Sequence, residues 1–299
     1  MFFFIPWAIL CCISAIKMDL FVSYLKFLSI LSIAFLFLQV VAHYSFGLNL
    51  VGYIPFLTVH GEQKEIIEVT FLGGRIYRPS SFFLEPSHFG LFISYSLLAC
   101  VFYQKSNIRN NLKLITIFFL SAIVSTSATS VALIGGIALA YLFDKNNGIR
   151  ISRTLKLIAI VLLIAFTFLA VSDVYVFSRF IESSSRVVGF VDKISNLEPI
   201  YAFLGVGIGN QVHYFDNVLH AKYGFVNGFG SLLVQSGLLG LFLFLSFHLY
   251  LYFKLSYRGK VTTLVFLAAM FVENVYMGFW MVMFYILMFF EFKTRKNEI

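Results

Sequence analysis

The residues best suited to chemistry cluster in one stretch of sixteen, Arg75-Ile76-Tyr77-Arg78-Pro79-Ser80-Ser81-Phe82-Phe83-Leu84-Glu85-Pro86-Ser87-His88-Phe89-Gly90. It holds two arginines, a carboxylate and an imidazole, and apolar sequence follows it. Arginine binds phosphate or carboxylate through a planar, permanently charged fork. A carboxylate or an imidazole can take a proton from an attacking hydroxyl. Anion binding beside proton transfer is therefore the chemistry to expect. A second set lies downstream, with Arg179, Arg186, Asn210, His213 and Asn227.

These groups belong to an oily chain. Of 299 residues, 60% are hydrophobic and 12% charged, and the mean hydropathy is +0.89. Soluble domains carry about 25% charged residues, so this composition points to an integral membrane protein. The apolar runs are continuous and do not alternate, which implies helices and excludes a β-barrel. The expected fold class is all-α, a polytopic membrane protein. Cys11, Cys12 and Cys100 lie within apolar runs, so a disulfide framework is not expected. The run at 2–16 has no basic residue before it and Lys17 after it, the wrong charge order for a cleaved signal peptide.

Apolar runs at 2–16, 27–44, 82–103, 112–127, 129–143, 157–171, 227–253, 261–272 and 276–290 predict about nine transmembrane helices, several of them short for a full crossing. Residues 112–143 and 261–290 are each flanked by basic residues at both ends, so each reads as a hairpin with both ends in the cytoplasm. Their polar tips, around Ser125–Ser130 and at Glu273-Asn274, would then face protein or an outer, water-filled cavity. In this arrangement the cytoplasmic side holds 15 of the 22 basic residues and 4 of the 14 acidic ones. That asymmetry places the N-terminus outside and the C-terminus inside. The net charge of +8 thus reflects membrane orientation, and no nucleic-acid partner is expected. The expected organisation is a single membrane domain over residues 1–299 with outer loops at 45–81 and 172–226.

Pro86 suits the first turn of a helix, where its missing N–H costs nothing. Glu85 then falls at the N-cap and His88 within the first turn, where the helix dipole favours negative charge. Two roles remain open for Glu85: base for a hydroxyl, or a helix cap paired with Arg75 or Arg78.

In the second outer loop, Gly205-Val206-Gly207-Ile208-Gly209-Asn210 lacks the third glycine of a dinucleotide fingerprint and follows no βαβ pattern. A tight turn that presents backbone N–H groups to an anion is the better expectation. His213, Asp216 and His220 have metal-compatible spacing, but such spacing is common by chance in a loop, and no metal site is assigned. No cofactor is expected.

The course from Arg78 through Ser81-Phe82-Phe83-Leu84-Glu85-Pro86-Ser87-His88-Phe89-Gly90 resembles the Arg…Ser-x-Phe-x-Glu-Pro-Ser-x-Phe-Ala/Gly segment of bacterial O-antigen and capsule repeat-unit polymerases of the Wzy type. Gly90 stands where alanine is more usual. Arg186, the Glu198–Asn210 stretch and Asn227-Gly-Phe-Gly-Ser-Leu-Leu…Gly240 are similar to the pattern those polymerases share with O-antigen ligases. The likeness runs from Arg75 to the C-terminus, by pattern only. It implies a membrane glycosyltransferase of the bacterial cytoplasmic membrane with its active site outside. Such an enzyme moves a growing glycan from undecaprenyl diphosphate to a hydroxyl of an incoming lipid-linked unit. It also implies a chain-length regulator and a flippase as partners, besides the lipid bilayer and the undecaprenyl-diphosphate-linked oligosaccharide. Arg78 and Arg186 would neutralise the diphosphate, with Arg75 and Arg179 as further outer arginines. Glu85 or His88 would serve the hydroxyl, and Asn210, His213 and Asn227 would line the substrate.

Two rivals stand beside this expectation. A ligase carries a His-Asn pair where this chain has Val226-Asn227, and the missing histidine argues against it. A transporter should show repeats and midplane charge or broken helices in matching halves, whereas here the charge gathers at one face.

Overall fold

A computed structural model describes residues 17–50, 52, 68–71, 74–104, 107–144, 197–218, 227–275 and 279–296. They fall into two compact units, with described residues 17–144 in one and 197–296 in the other. The described chain is mostly helical, as expected. Three helices are long and apolar enough to cross a membrane: α1 (Met18–Phe46), α2 (Pro86–Tyr103) and α6 (Gly228–Lys254). The expected runs at 2–16 and 157–171 lie outside the described residues.

In the first unit, α1 begins at Met18, nine residues before the apolar run expected to define it. Charged Lys26 does not stop a helix, and no proline or glycine intervenes, so the turns continue through it. α1 ends at Gly47, whose left-handed backbone (φ 65°) caps the C-terminus. Strands β1 (Glu68–Phe71) and β2 (Gly74–Tyr77) follow as an antiparallel hairpin with Phe71 opposite Gly74. Among the described residues this hairpin is the one addition to the all-α expectation. Val69, Phe71, Ile76 and Tyr77 suit strands, and Gly73-Gly74 supplies the turn signal.

Helix α2 starts with Pro86 in its first turn and packs against α1, α3 (Ile108–Val124) and α4 (Ala128–Phe143). Its residues from Phe89 to Val101 are buried without interruption, so it forms the centre of the unit. α3 and α4 run antiparallel about a tip at Ser125–Ser127, with Asn111 Nδ2 donating to the Tyr141 hydroxyl at 3.0 Å near the other end. Asn107 caps α3 and Ser127 caps α4 through their side-chain oxygens. Gly90 is where α2 meets α4. A Cβ there would fall on the Ser130 hydroxyl, so an alanine does not fit beside Ser130 as it stands.

In the second unit, short α5 (Pro199–Leu204) lies against α6, which packs on α7 (Tyr257–Val272), and α7 packs on α8 (Phe279–Lys296). α7 and α8 run antiparallel. Arg258 and Glu291 form a 2.6 Å ion pair, and Phe266 stacks on Phe284 with ring centroids 4.2 Å apart. α6 is broken at Gly237 (φ 68°), so the apolar run at 227–253 is two helical pieces. Only glycine fits at this break, because the Phe203 and Gly205 backbones lie where a Cβ would point.

Candidate functional site

Glu85 is the N-cap residue of α2 and is exposed. Its carboxylate makes no capping bond to the helix. Among the described residues its one hydrogen bond comes from Ser87 Oγ at 3.1 Å. Of the two pairings that the cap role would allow, the one with Arg78 is absent and the one with Arg75 involves a side chain outside the described residues, and Glu85 reaches solvent from the positive end of the helix. His88 follows in the first turn, half-buried. Arg75 lies on β2 opposite Thr70, and its side chain is outside the described set.

Arg78 leaves β2 and reaches the α3–α4 tip, where its Nε donates to Thr126 Oγ1 at 3.1 Å. The first outer segment and the first polar hairpin tip, separate in sequence, thus meet. Thr126 itself has a left-handed backbone (φ 53°), and so does Ser81 (φ 54°). These are the two non-glycine residues with positive φ among the described residues. Each costs about 1–3 kcal/mol and persists only where its surroundings impose it. For the β-branched Thr126 the conformation is a genuine outlier.

The surroundings of Ser81 are visible. Its N–H donates to Gln39 Oε1 at 2.8 Å, and its hydroxyl donates to the Ser32 carbonyl at 2.7 Å. Gln39 Nε2 donates in turn to the carbonyls of Leu50 (2.9 Å) and Ser81 (3.3 Å). Phe82 stacks on Phe35 of α1, centroids 4.4 Å apart. The hairpin is tied to the same helix end. The Tyr77 N–H donates to the Tyr44 hydroxyl at 3.3 Å, and the Tyr77 ring stacks on His43 at 4.4 Å. Burial there pushes the Tyr77 phenol above its usual pKa.

The second candidate stretch is built differently. Gly205, Gly207 and Gly209 all have left-handed backbones (φ 83°, 93° and 83°). The N–H groups of Val206 and Gly207 donate to the Val234 and Gln235 carbonyls of α6 at 2.9 and 3.0 Å. Those carbonyls lie in the turn that Gly237 interrupts, so the loop closes the break in α6. The Gly205 N–H is engaged by Tyr201 and the Asn210 N–H by Gly207. The expected anion cradle is thus corrected: four of the loop's N–H groups already hold backbone carbonyls. Asn210 is exposed just beyond.

His213 is exposed and its Nδ1 is hydrogen-bonded to Asn217 Nδ2 at 2.9 Å, while His220 lies outside the described residues. Tyr214 beside it is buried with Leu197, Phe215 and Val234, and that burial, with the nearby Glu198 charge, raises its pKa. Asn227 caps α6. Its Oδ1 accepts from the Gly230 N–H at 2.8 Å and its Nδ2 donates to the Phe271 carbonyl at 3.0 Å. The Gly228 N–H donates to the carbonyl of Glu273, so the start of α6 docks on the second polar tip. Arg179 and Arg186 lie outside the described residues. Among the described residues, no three His, Cys, Asp or Glu side chains gather as a metal site would require.

Sequence reasoning singled out neither Gln39 nor Ser81. The signal was present: Gln39 is the lone amide in a long apolar run, and a polar side chain there needs a buried partner. Comparison with protein-family models, with characterised proteins and with solved structures finds no match for the chain.

Proposed function

We propose that this protein is a membrane glycosyltransferase that polymerises lipid-linked oligosaccharide units at the outer face of a bacterial cytoplasmic membrane. The donor is a glycan on undecaprenyl diphosphate, and the acceptor is a hydroxyl of the next unit. The acceptor oxygen attacks the donor's anomeric carbon, the bond from that carbon to the diphosphate oxygen breaks, and the diphosphate leaves with the electron pair. Arg78 neutralises the growing charge on the leaving group, aided by Arg186. Glu85 or His88 takes the hydroxyl proton. No cofactor enters the scheme. In this reading about nine helices cross the membrane, with the C-terminus inside, and a flippase and a chain-length regulator act beside the enzyme.

One observation carries the reading: Arg78 is bonded to Thr126, and the backbone is strained both there and at Ser81, between Arg78 and Glu85. Strain of this kind gathers at functional sites. The exposed carboxylate of Glu85, which accepts from the Ser87 hydroxyl and from no backbone N–H of its helix, fits a group kept ready for substrate. The ligase alternative gains nothing, since Asn227 is engaged by backbone on both sides of its amide.

The test is complementation in cells, read as glycan chain length. Arg78→Ala and Arg186→Ala should leave single-repeat glycans while the protein still inserts; normal long chains in both would sink the reading. Wild-type polymer from Glu85→Gln would remove the carboxylate as base and leave His88.

A further inference from the structure

Gln39 is wholly buried in α1, and both ends of its amide grip the backbone of one residue 42 positions away. Accepting the Ser81 N–H and donating to the Ser81 carbonyl, it copies the paired bonds of a β-bridge. Ser81 occupies the first central position of a reverse turn closed by the Phe83 N–H on the Ser80 carbonyl at 3.0 Å. The Ser80 hydroxyl also donates to the Phe83 carbonyl at 2.9 Å. A positive φ at that position favours glycine, and serine holds it here under the amide's grip. Gly52 lets the neighbouring chain close over the Ser81 carbonyl, since a Cβ there would collide with it. The turn lies three residues after Arg78 and four before Glu85.

We propose that Gln39 is a positioning residue, whose side-chain amide fixes the left-handed turn at Ser81 and thereby sets Arg78 and Glu85 in their working arrangement. This rests on the reading above that those two groups meet the substrate. A glutamine that merely satisfied the core would stabilise the helix packing without regard to the conformation of Ser81. The two roles separate by coupling. With glycine at position 81 the left-handed turn is accessible without help, so the need for Gln39 falls.

The experiment uses the full chain in its host membrane, with inserted protein quantified and glycan length as readout. Gln39→Met, matched in length, lowers long-chain glycan about tenfold in the parent but less than about threefold in a Ser81→Gly background. Gln39→Leu is read in the same way should Gln39→Met insert poorly. An equal fall in both backgrounds, or no fall in the parent, overturns the proposal. A second readout needs no activity. With Cys11, Cys12 and Cys100 replaced by alanine, Arg78→Cys and Thr126→Cys are joined by a short bismaleimide, each thiol adding across one maleimide double bond. The yield falls with Gln39→Met and returns when Ser81→Gly is added. A yield that ignores Gln39→Met overturns the positioning role. If the yield follows Gln39 while Arg78→Ala and Arg186→Ala both still make full-length polymer, the positioning stands and the polymerase reading falls.

Discussion

In the loop at residues 205–210 the left-handed backbone falls on Gly205, Gly207 and Gly209, whereas around Arg78 it falls on Ser81 and Thr126. Glycine adopts that conformation without a steric cost, so the first loop is relaxed and its N–H groups close the break in α6. Serine and threonine adopt it at a cost, and hydrogen bonds exchanged with Gln39 and donated to Ser32 hold Ser81 there. The two stretches looked alike as candidate sites in the sequence. Their backbones assign them different work: the glycine loop joins elements, and the segment around Arg78 holds side chains in a conformation the chain would not choose alone.

The contrast is most easily broken at the glycines. A Cβ at Gly205 would collide with the Gln235 backbone, and one at Gly209 would meet nothing within 4 Å. Gly205→Ala should therefore cost about 3–5 kcal/mol, combining strain and overpacking. Gly209→Ala should cost only about 1–2 kcal/mol, from the left-handed backbone alone. Thermal stability in detergent compares the two, and equal losses would mean the loop does not latch α6. Next in size is Asn227→Ala, which removes the cap of α6 and its tie to Phe271, at about 1–2 kcal/mol on the same assay. The smallest change is the most telling. Thr126→Gly relieves a strained residue, so stability should rise or hold within about 1 kcal/mol, while the loss of Oγ1 removes its bond to Arg78 and shortens the glycan. Thr126→Gly that lowered stability and spared glycan length would make the strain at the tip purely structural.

Much of the local structure was legible. Pro86 predicted the start of α2 with Glu85 at its N-cap, and the polar tips marked the turns of both hairpins. The break in α6 was not legible, because Leu-Leu-Val-Gln-Ser-Gly-Leu-Leu-Gly reads as continuous apolar helix. The backbone that leaves room only for glycine there comes from Phe203, more than thirty residues earlier in the chain. That break also bears on the transporter alternative, which expects discontinuous helices. The Val234 and Gln235 carbonyls at this break are taken by backbone N–H groups of the same unit. The clamp on Ser81 was hidden for the same reason, since Gln39 and Ser81 are 42 positions apart and nothing local pairs them. Periodicity and end signals are local properties, and partners chosen by tertiary packing are not.

The proposed role of Arg78 is to hold a polyprenyl diphosphate, and binding measures that without any need for turnover. The purified chain in lipid nanodiscs should bind undecaprenyl diphosphate, and Arg78→Ala should weaken it about 10- to 100-fold, the worth of a charge-assisted hydrogen bond to phosphate. Arg78→Lys should recover only part of the loss, because an ammonium lacks the bidentate fork. Equal affinity in the wild type and Arg78→Ala would contradict the account.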